Sequence, residues 1–429
     1  MLRKLLFLGL SMAFIYSVSQ AQVTAPYQVG TWSGFRTCAI SYTFDDGCAN
    51  QFTKAIPIFD EYQYKLTLFT ISSWIKDWTD LKNAALSGHE VANHTDTHPN
   101  LSGMTVDKQE TELKTCNDLV NLNVTNQECL TMAYPYCVKG NDALHKKYFI
   151  AARNCQGTIE GKTPGDMMNV SSIMCGAVGS VKKVKDFKGK ADQAANQKGW
   201  LVYLIHGIDD DGGYSPLSSD TLKSSLQYLK ANDAKFWVNT FGNVARYVKE
   251  RNCVSVKETA INDTTINLAV TDTLKKDNWY NFPLTFRRTL PSGWASASIT
   301  QDGKPITTEI VEVSSVKYIQ FNAIPDGGSV VILKSEATGF NSMVGSKADH
   351  NFKVWVDGKS ILFNVPKKCM PNPSLSVFNS NGILVDSYKN CFIDGQNGKI
   401  SPKRLPKTGV YIIRLSDKQS SWSSQILIK

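Results

Sequence analysis

Seven short apolar runs, at residues 38–44, 65–71, 89–93, 131–134, 149–152, 200–205 and 235–239, recur through the first 250 residues of this 429-residue chain. Amphipathic stretches at 51–61, 74–86, 106–122, 142–148, 219–231 and 243–251 separate them. The runs are continuously apolar rather than alternating, the pattern of strands buried on both faces, and such strands form parallel sheets covered by helices. Asp45, His94, Tyr136 and His206 fall at or just past the C-terminal ends of the runs. A β/α barrel gathers its reactive groups at that rim. The expected fold class is therefore α/β, a distorted (β/α) barrel of about seven strands, in preference to an open doubly wound sheet, followed by two β-sandwich domains.

Past Cys253 the texture changes to short alternating runs between Asp, Gly and Pro turns, with little helical period. The expected domains are a barrel at 22–253, a β-sandwich at 254–335, a linker at 336–349 rich in small and polar residues, and a second β-sandwich at 350–429. Arg3 and Lys4 precede an apolar stretch from Leu5 to Val18, and Ser19-Gln20-Ala21 supplies small residues before a cleavage point. Residues 1–21 thus read as a signal peptide. No later stretch is long and apolar enough to span a membrane, so the mature chain is expected to have no transmembrane segment and to be secreted or displayed at the cell surface.

All ten cysteines lie in the mature part, an even number that suggests disulfides in an exported protein. Cys369–Cys391 and Cys38–Cys253 are the expected bridges. The net charge of +9 does not point to nucleic acid. Residues 22–251 carry 24 Lys and Arg against 24 Asp and Glu, so the excess lies beyond the barrel. The cluster Lys182-Lys183-Val184-Lys185, with Lys188 and Lys190, reads as a solvated loop.

Two motifs about fifty residues apart carry the chemistry: Thr43-Phe44-Asp45-Asp46-Gly47 and His94-Thr95-Asp96-Thr97-His98. Gly47 permits a sharp turn, which lets two neighbouring carboxylates reach one site. His94 and His98 have the spacing of one face of a helical turn. Asp46, His94 and His98 form a ligand set suited to one divalent metal, zinc first, with cobalt, nickel and manganese sharing the same donors. Asp45 is then placed to act as general base, and His206, ending the run Trp200–Ile205, as general acid. Trp32, Trp74 and Trp78 are candidate ligand-stacking faces or else core. The loop 209–214 borders a groove or is a solvated turn.

Thr43-Phe44-Asp45-Asp46-Gly47, His94-Thr95-Asp96-Thr97-His98 and Leu204-Ile205-His206, in this order, resemble the first, second and fifth motifs of the polysaccharide deacetylase (NodB-homology, carbohydrate esterase family four) family. The resemblance implies metal-dependent removal of N- or O-acetyl groups from a glycan, with Asp45 as base, Asp46, His94 and His98 as ligands and His206 as acid. It also implies that Leu204 lines the acetyl pocket and that the backbone N–H of Tyr136 stabilises the oxyanion. Two motifs depart from the family pattern. The third reads Ala133-Tyr134-Pro135-Tyr136, without its arginine, and Arg153 at the end of the next strand is a candidate substitute. The fourth, an Asp-Trp that tunes the acid histidine, has only Asp166 as a candidate.

Residues 375–382, 405–415 and 426–429 resemble a C-terminal sorting domain of type IX secretion, which implies that export machinery as a partner. The expected function is an exported deacetylase acting on an acetylated glycan. The alternative is a catalytically silent glycan-binding surface protein.

Overall fold

The computed structural model describes residues 23–275 and 278–335, and beyond them the eight strands that lie between 354 and 428. The expected signal peptide, the linker at 336–349 and the pair Cys369 and Cys391 lie outside the described residues. The chain divides into two compact units, 1–337 and 338–429.

Within the first unit the strands are β1 (Tyr27–Val29), β2 (Cys38–Asp45), β3 (Thr67–Thr70), β4 (Glu90–Asn93), β5 (Thr131–Ala133), β6 (Ala151–Arg153), β7 (Ile173–Met174), β8 (Trp200–Ile205) and β9 (Phe236–Val238). The helices are α1 (Ile56–Glu61), α2 (Thr79–Leu86), α3 (Val106–Asn123), α4 (Asp142–Tyr148), α5 (Val184–Gln197), α6 (Ser219–Ala231) and α7 (Phe241–Cys253). Seven parallel strands pair in the order β6-β5-β4-β3-β2-β8-β7. A parallel bridge between Arg153 and Val170 joins β6 to the segment entering β7, which closes the ring. The distortion lies at β2. Cys38–Ile40 pairs with β9, while Thr43–Asp45, farther along the same edge, pairs with β3.

Strand alternation assigns the two faces of this sheet. Ile40, Tyr42, Phe44, Leu201, Tyr203 and Ile205 point outward and pack against Phe59, Phe187 and Leu226 of the covering helices. Ala39, Ala92, Ala133 and Ala151 point inward, leaving room for Phe69, Trp200 and Val202. Small residues opposite bulky ones let the interior fill without a pore. The indole of Trp200 donates to Ser41 Oγ at 3.1 Å inside it. On this parity Asp45, Arg153 and Leu204 also face inward, at the rim.

The segment 182–190, expected as a solvated loop, instead opens α5. Asp186 accepts from the backbone N–H groups of Lys182 and Lys183, and Phe187, Ala191 and Ala194 form the buried stripe. The lysines are the solvent face of that helix.

Two antiparallel sheets follow the barrel: β10 (Ser255–Ile261), β11 (Thr265–Thr271), β12 (Leu284–Thr289), β13 (Ser296–Gln301), β14 (Lys304–Ile306), β15 (Thr308–Val313), β16 (Val316–Ala323) and β17 (Val330–Ser335). Their orders are β10-β11-β17-β13-β14 and β1-β12-β16-β15. The strand that precedes the barrel in sequence thus completes a sheet that comes after it. The barrel and this sandwich share one apolar core, in which Trp237 and Tyr247 meet Phe282. The second unit holds two further four-stranded antiparallel sheets around Ile361, Phe363, Leu375, Val377, Ile413 and Leu415.

The bridge Cys38–Cys253 does not form. Both thiols are free, Cys38 being buried outward on β2 and Cys253 at the end of α7. The disulfide among the described residues is Cys137–Cys155, which ties the segment after β5 to the segment after β6.

Candidate active site

Asp45 is the last residue of β2, buried and inward-facing. Asp46 leaves the strand with φ 73°, and Gly47 comes next at φ 71°. A left-handed pair at the strand end therefore swings the second carboxylate onto the same rim as the first. The turn starts one residue earlier than the glycine alone suggests.

His94 succeeds β4, and its backbone N–H is held by Thr70 O at 3.0 Å. His94 Nδ1 lies 2.8 Å from Ala133 O, so it donates there and Nε2 is left as an acceptor facing the centre of the site. The stretch 94–98 is not a helical turn, contrary to expectation. Thr95 at φ 68° and His98 at φ 61° fold it into a loop, closed by His98 N–H donating to Thr95 Oγ1 at 3.0 Å. Positive φ at a β-branched threonine is strained backbone, of the kind that persists where surrounding structure enforces a functional geometry.

Asp46 Oδ1 lies 3.6 Å from His94 Nε2 and 3.9 Å from His98 Nε2, and the three ligand atoms lie within 4.8 Å of one another. Asp46 Oδ1 is buried with no hydrogen-bond partner. An orphaned carboxylate oxygen facing two imidazole nitrogens is a donor set that fits a divalent cation. Burial and the charge of Asp45 push the Asp46 carboxyl up to about 6. Burial lowers His94 to about 4 and lowers His98 as well, keeping both rings neutral and able to ligate.

Asp45 is engaged differently. Arg153 Nη2 donates to both of its oxygens, to Oδ1 at 2.6 Å, while Arg153 Nη1 reaches Ser172 Oγ at 3.2 Å. Burial opposes the Asp45 charge, but Arg153, His94 and His206 outweigh it and hold the carboxyl below its ordinary range. Arg153, from β6, thus takes the place that Ala133 leaves empty on β5. His206 Nε2 lies 4.0 Å from Asp45 Oδ2. All five residues, Asp45, Asp46, His94, His98 and His206, meet at one rim. Residues 35–148, which include four of them, match the family model described as polysaccharide deacetylase.

On that stretch the barrel is similar to polysaccharide deacetylases.

Among curated relatives, a gellan lyase from Bacillus sp. is 28% identical over 343 residues, covering 74% of this chain and 14% of the relative. A chitooligosaccharide deacetylase from Sinorhizobium fredii is 31% identical over 114 residues, covering 26% of this chain and 53% of the relative. The chain thus spans about half the length of the second and a small part of the first. Among solved structures, the Xyl-CE4 domain of a multidomain xylanase from a Trinervitermes trinervoides hindgut metagenome aligns with TM-score 0.36 and 18% identity. That alignment covers 48% of this chain and 89% of the domain.

Around this site the remaining expected residues separate. Tyr136 sits at φ 55° in the turn after β5, its ring 4.7 Å from that of His98 and 65% exposed. Leu204 is buried beside Thr43 on the inward face of β8. Asp166 does not approach His206. It pairs with Lys139 at 3.0 Å and accepts from Met168 N–H, and His206 Nδ1 is buried without a partner. The ring that meets His206 is that of Tyr214, edge-on at 5.2 Å. Trp32 is wholly core, and Trp78 packs against the outer core. Trp74 stands 55% exposed, 5.8 Å from His98, beside a cleft of about 190 Å³ that opens on Asp46 and Gly47.

Gln51 was not among the expected site residues. Its Nε2 donates to the carbonyls of Asp45 and His206 at 2.6 and 3.0 Å, lashing the ends of β2 and β8 together at the rim. Its place six residues past Asp45, at the start of the next helical segment, was the only available signal.

Proposed function

We propose that the chain is an exported, metal-dependent deacetylase acting on an acetylated glycan. The observation that carries the reading is the unpartnered Asp46 Oδ1 between two imidazole nitrogens, directly beside a carboxylate held ionised by Arg153. Asp46, His94 and His98 would hold the ion, and zinc suits this mixed nitrogen and oxygen set. When bound, such an ion supplies Lewis-acid polarisation and an acidified water.

The chain's own groups do the rest. Asp45, anionic because Arg153 faces it, accepts the proton of the attacking water. His206, across from Asp45, donates a proton to the departing sugar nitrogen or oxygen. Tyr136 presents its backbone N–H toward the developing oxyanion, with the ring turned to solvent. Leu204 offers an apolar wall for the acetyl methyl group.

The test is acetate release from N-acetylglucosamine oligomers, peptidoglycan and O-acetylated xylan. The protein is assayed as purified, after chelation, and after zinc, cobalt, nickel or manganese is restored. Release that vanishes on chelation and returns with metal is expected; release indifferent to chelation defeats the metal reading.

Export is part of the proposal. It is supported by the leader pattern at 1–21 and by the type IX-like pattern at 375–382, 405–415 and 426–429. Among the described residues, no helix is long and apolar enough to cross a membrane. N-terminal sequencing of protein recovered outside the cells should begin at Gln22.

A further inference from the structure

The imidazole of His206 has no hydrogen bond to fix it among the described residues. Its Nδ1 is buried without a partner, and its Nε2 lies 4.0 Å from Asp45 Oδ2, beyond hydrogen-bond reach. Tyr214 meets it as a ring, edge-on at 5.2 Å. Such a side chain takes its position from the backbone that carries it.

That backbone is held from β2. The rungs between β2 and β8 run from the pair Ala39 and Trp200 to the pair Phe44 and Ile205, and Asp45 and His206 follow as the first pair beyond them. There the Gln51 amide takes over, Nε2 donating to Asp45 O at 2.6 Å and to His206 O at 3.0 Å. One residue earlier, Asn50 Nδ2 donates to Ile208 O at 2.9 Å and Asn50 N–H to Asp211 Oδ2 at 3.2 Å. The segment 206–211 is thereby tied to the turn that leaves Asp45.

Gln51 opens a wide π-helical turn, Gln51–Ala55, that leads into α1, and its N–H returns to Cys48 O at 3.0 Å. Wide turns of this kind recur at functional sites. Gln51 is wholly buried and its Oε1 has no partner. An apolar side chain of the same shape would fill the space without orphaning an acceptor, so what the amide contributes is the two bonds that Nε2 donates.

We propose that Gln51, assisted by Asn50, is a positioning residue that sets His206 against Asp45 and so places the proton that the departing sugar atom receives. The inference rests on the deacetylase reading, with Asp45 as base and His206 as acid. In that reaction the water oxygen bonds to the acetyl carbon as its proton passes to Asp45. The bond from that carbon to the sugar nitrogen or oxygen then breaks, the electron pair staying with the departing atom, which takes the His206 proton. A sugar amine or alkoxide needs that proton to leave, whereas a nitrophenolate does not.

The test compares Gln51→Met, Asn50→Ala, His206→Ala and the double variant of Gln51→Met with His206→Ala, each in the full, metal-loaded chain. Gln51→Met keeps the shape and removes the donors. The substrates are N-acetylglucosamine oligomers or O-acetylated xylo-oligomers, whichever the parent turns over, and 4-nitrophenyl acetate. Gln51→Met should lower kcat on the glycan at least about tenfold, toward the roughly 10²-fold cost of a 1 Å misplacement, with KM little changed and a much smaller loss on the aryl acetate. Asn50→Ala should do the same to a lesser degree. His206→Ala should show the same selectivity, and with it in place Gln51→Met should cost less than about twofold more. Equal losses on both substrates, or single losses that multiply in the double variant, overturn the proposal.

Ring spectra of the metal-free chain, with labelled histidine and tyrosine, read the placement without turnover. Gln51→Met should weaken cross-relaxation between the His206 and Tyr214 rings and shift the His206 signals, while His89 and His145 stay in place and report an intact fold. If Gln51→Met does not fold, Asn50→Ala, whose side chain is half-buried, carries the same readings. Unmoved His206 signals overturn the proposal. A parent that releases no acetate, with His206 displaced in the variant, defeats the deacetylase reading and leaves the hold of Gln51 on His206.

Discussion

Arg153 is the residue on which the ionisation of the site turns. Its guanidinium is buried, lies over the Phe69 ring at 5.1 Å, and grips both oxygens of Asp45. Asp45 is held below its ordinary range, so the stability it contributes is present above about pH 4 and drains away on further acidification. Removing one partner of a buried pair costs about 3–5 kcal/mol. Arg153→Gln should therefore lower stability by that order. It should also leave burial opposed only by His94 and His206, raise the Asp45 pKa and, with Asp45 as the proposed base, move the acid limb of kcat/KM to higher pH. A pH–rate profile with an unmoved acid limb would contradict the pairing. Asp46 makes the opposite prediction for metal affinity. Its carboxyl sits near 6 in the metal-free chain, whereas His94 stays neutral down to about 4. Below pH 6 an ion must displace the Asp46 proton, so affinity for zinc should fall about tenfold per unit toward pH 5 and stay nearly flat from 6 to 7.5. Competition titrations with a chromophoric chelator would show this slope.

At the scale of elements, strands set by a continuous apolar run were legible in the sequence, and features set by local backbone chemistry or masked by charge were not. The run ending in Asp45 was legible because a strand buried on both faces is apolar throughout. The spacing of His94 and His98 suggested a helical turn, but spacing cannot distinguish a helix from a loop with two left-handed residues. Helix α5 was hidden by its lysines, although Phe187, Ala191 and Ala194 keep helical spacing. Phe187 is fully buried, 4.8 Å from the Tyr203 ring and stacked on Tyr42 at 6.2 Å. Phe187→Ala should cost about 3–5 kcal/mol in denaturant unfolding through the cavity it leaves, with acetate release per folded molecule little changed. The disulfide escaped because pairing is set by which strand ends become neighbours. β5 and β6 are adjacent, so Cys137 and Cys155 meet across 18 residues of chain. A loop of that size is worth about 3 kcal/mol in the chain-entropy account. Cys155→Ser should lose about that much stability, and it should also slow turnover, because Cys137 anchors the turn that presents Tyr136.

At the scale of the molecule, the division expected at Cys253 is a change in texture rather than a break in packing. Tyr27–Val29 precede the barrel in sequence yet pair with β12 in the sandwich after it. Gly30 N–H donates to Thr285 O at 2.8 Å, and Tyr247 of α7 donates to Gly30 O at 2.8 Å. No local pattern could announce this, because a three-residue strand acquires its partner only when the whole chain has folded. Val244, Tyr247 and Val248 on α7, with Trp237 on β9, share their core with Leu284, Phe286 and Phe321. A chain ending at Cys253 would leave that face in water, and at about 25 cal/mol per Å² an exposed apolar face of several side chains outweighs the marginal stability of a domain. The 22–253 chain should therefore be insoluble or molten, while the 22–335 chain, which keeps the first unit whole, should fold cooperatively and release acetate at the full-length rate. Removing residues 22–30 from that shorter chain should lower its unfolding midpoint, because β12 loses an edge partner and Tyr247 loses its acceptor. Equal midpoints with and without 22–30, or a stable barrel ending at 253, would show that the two parts fold independently.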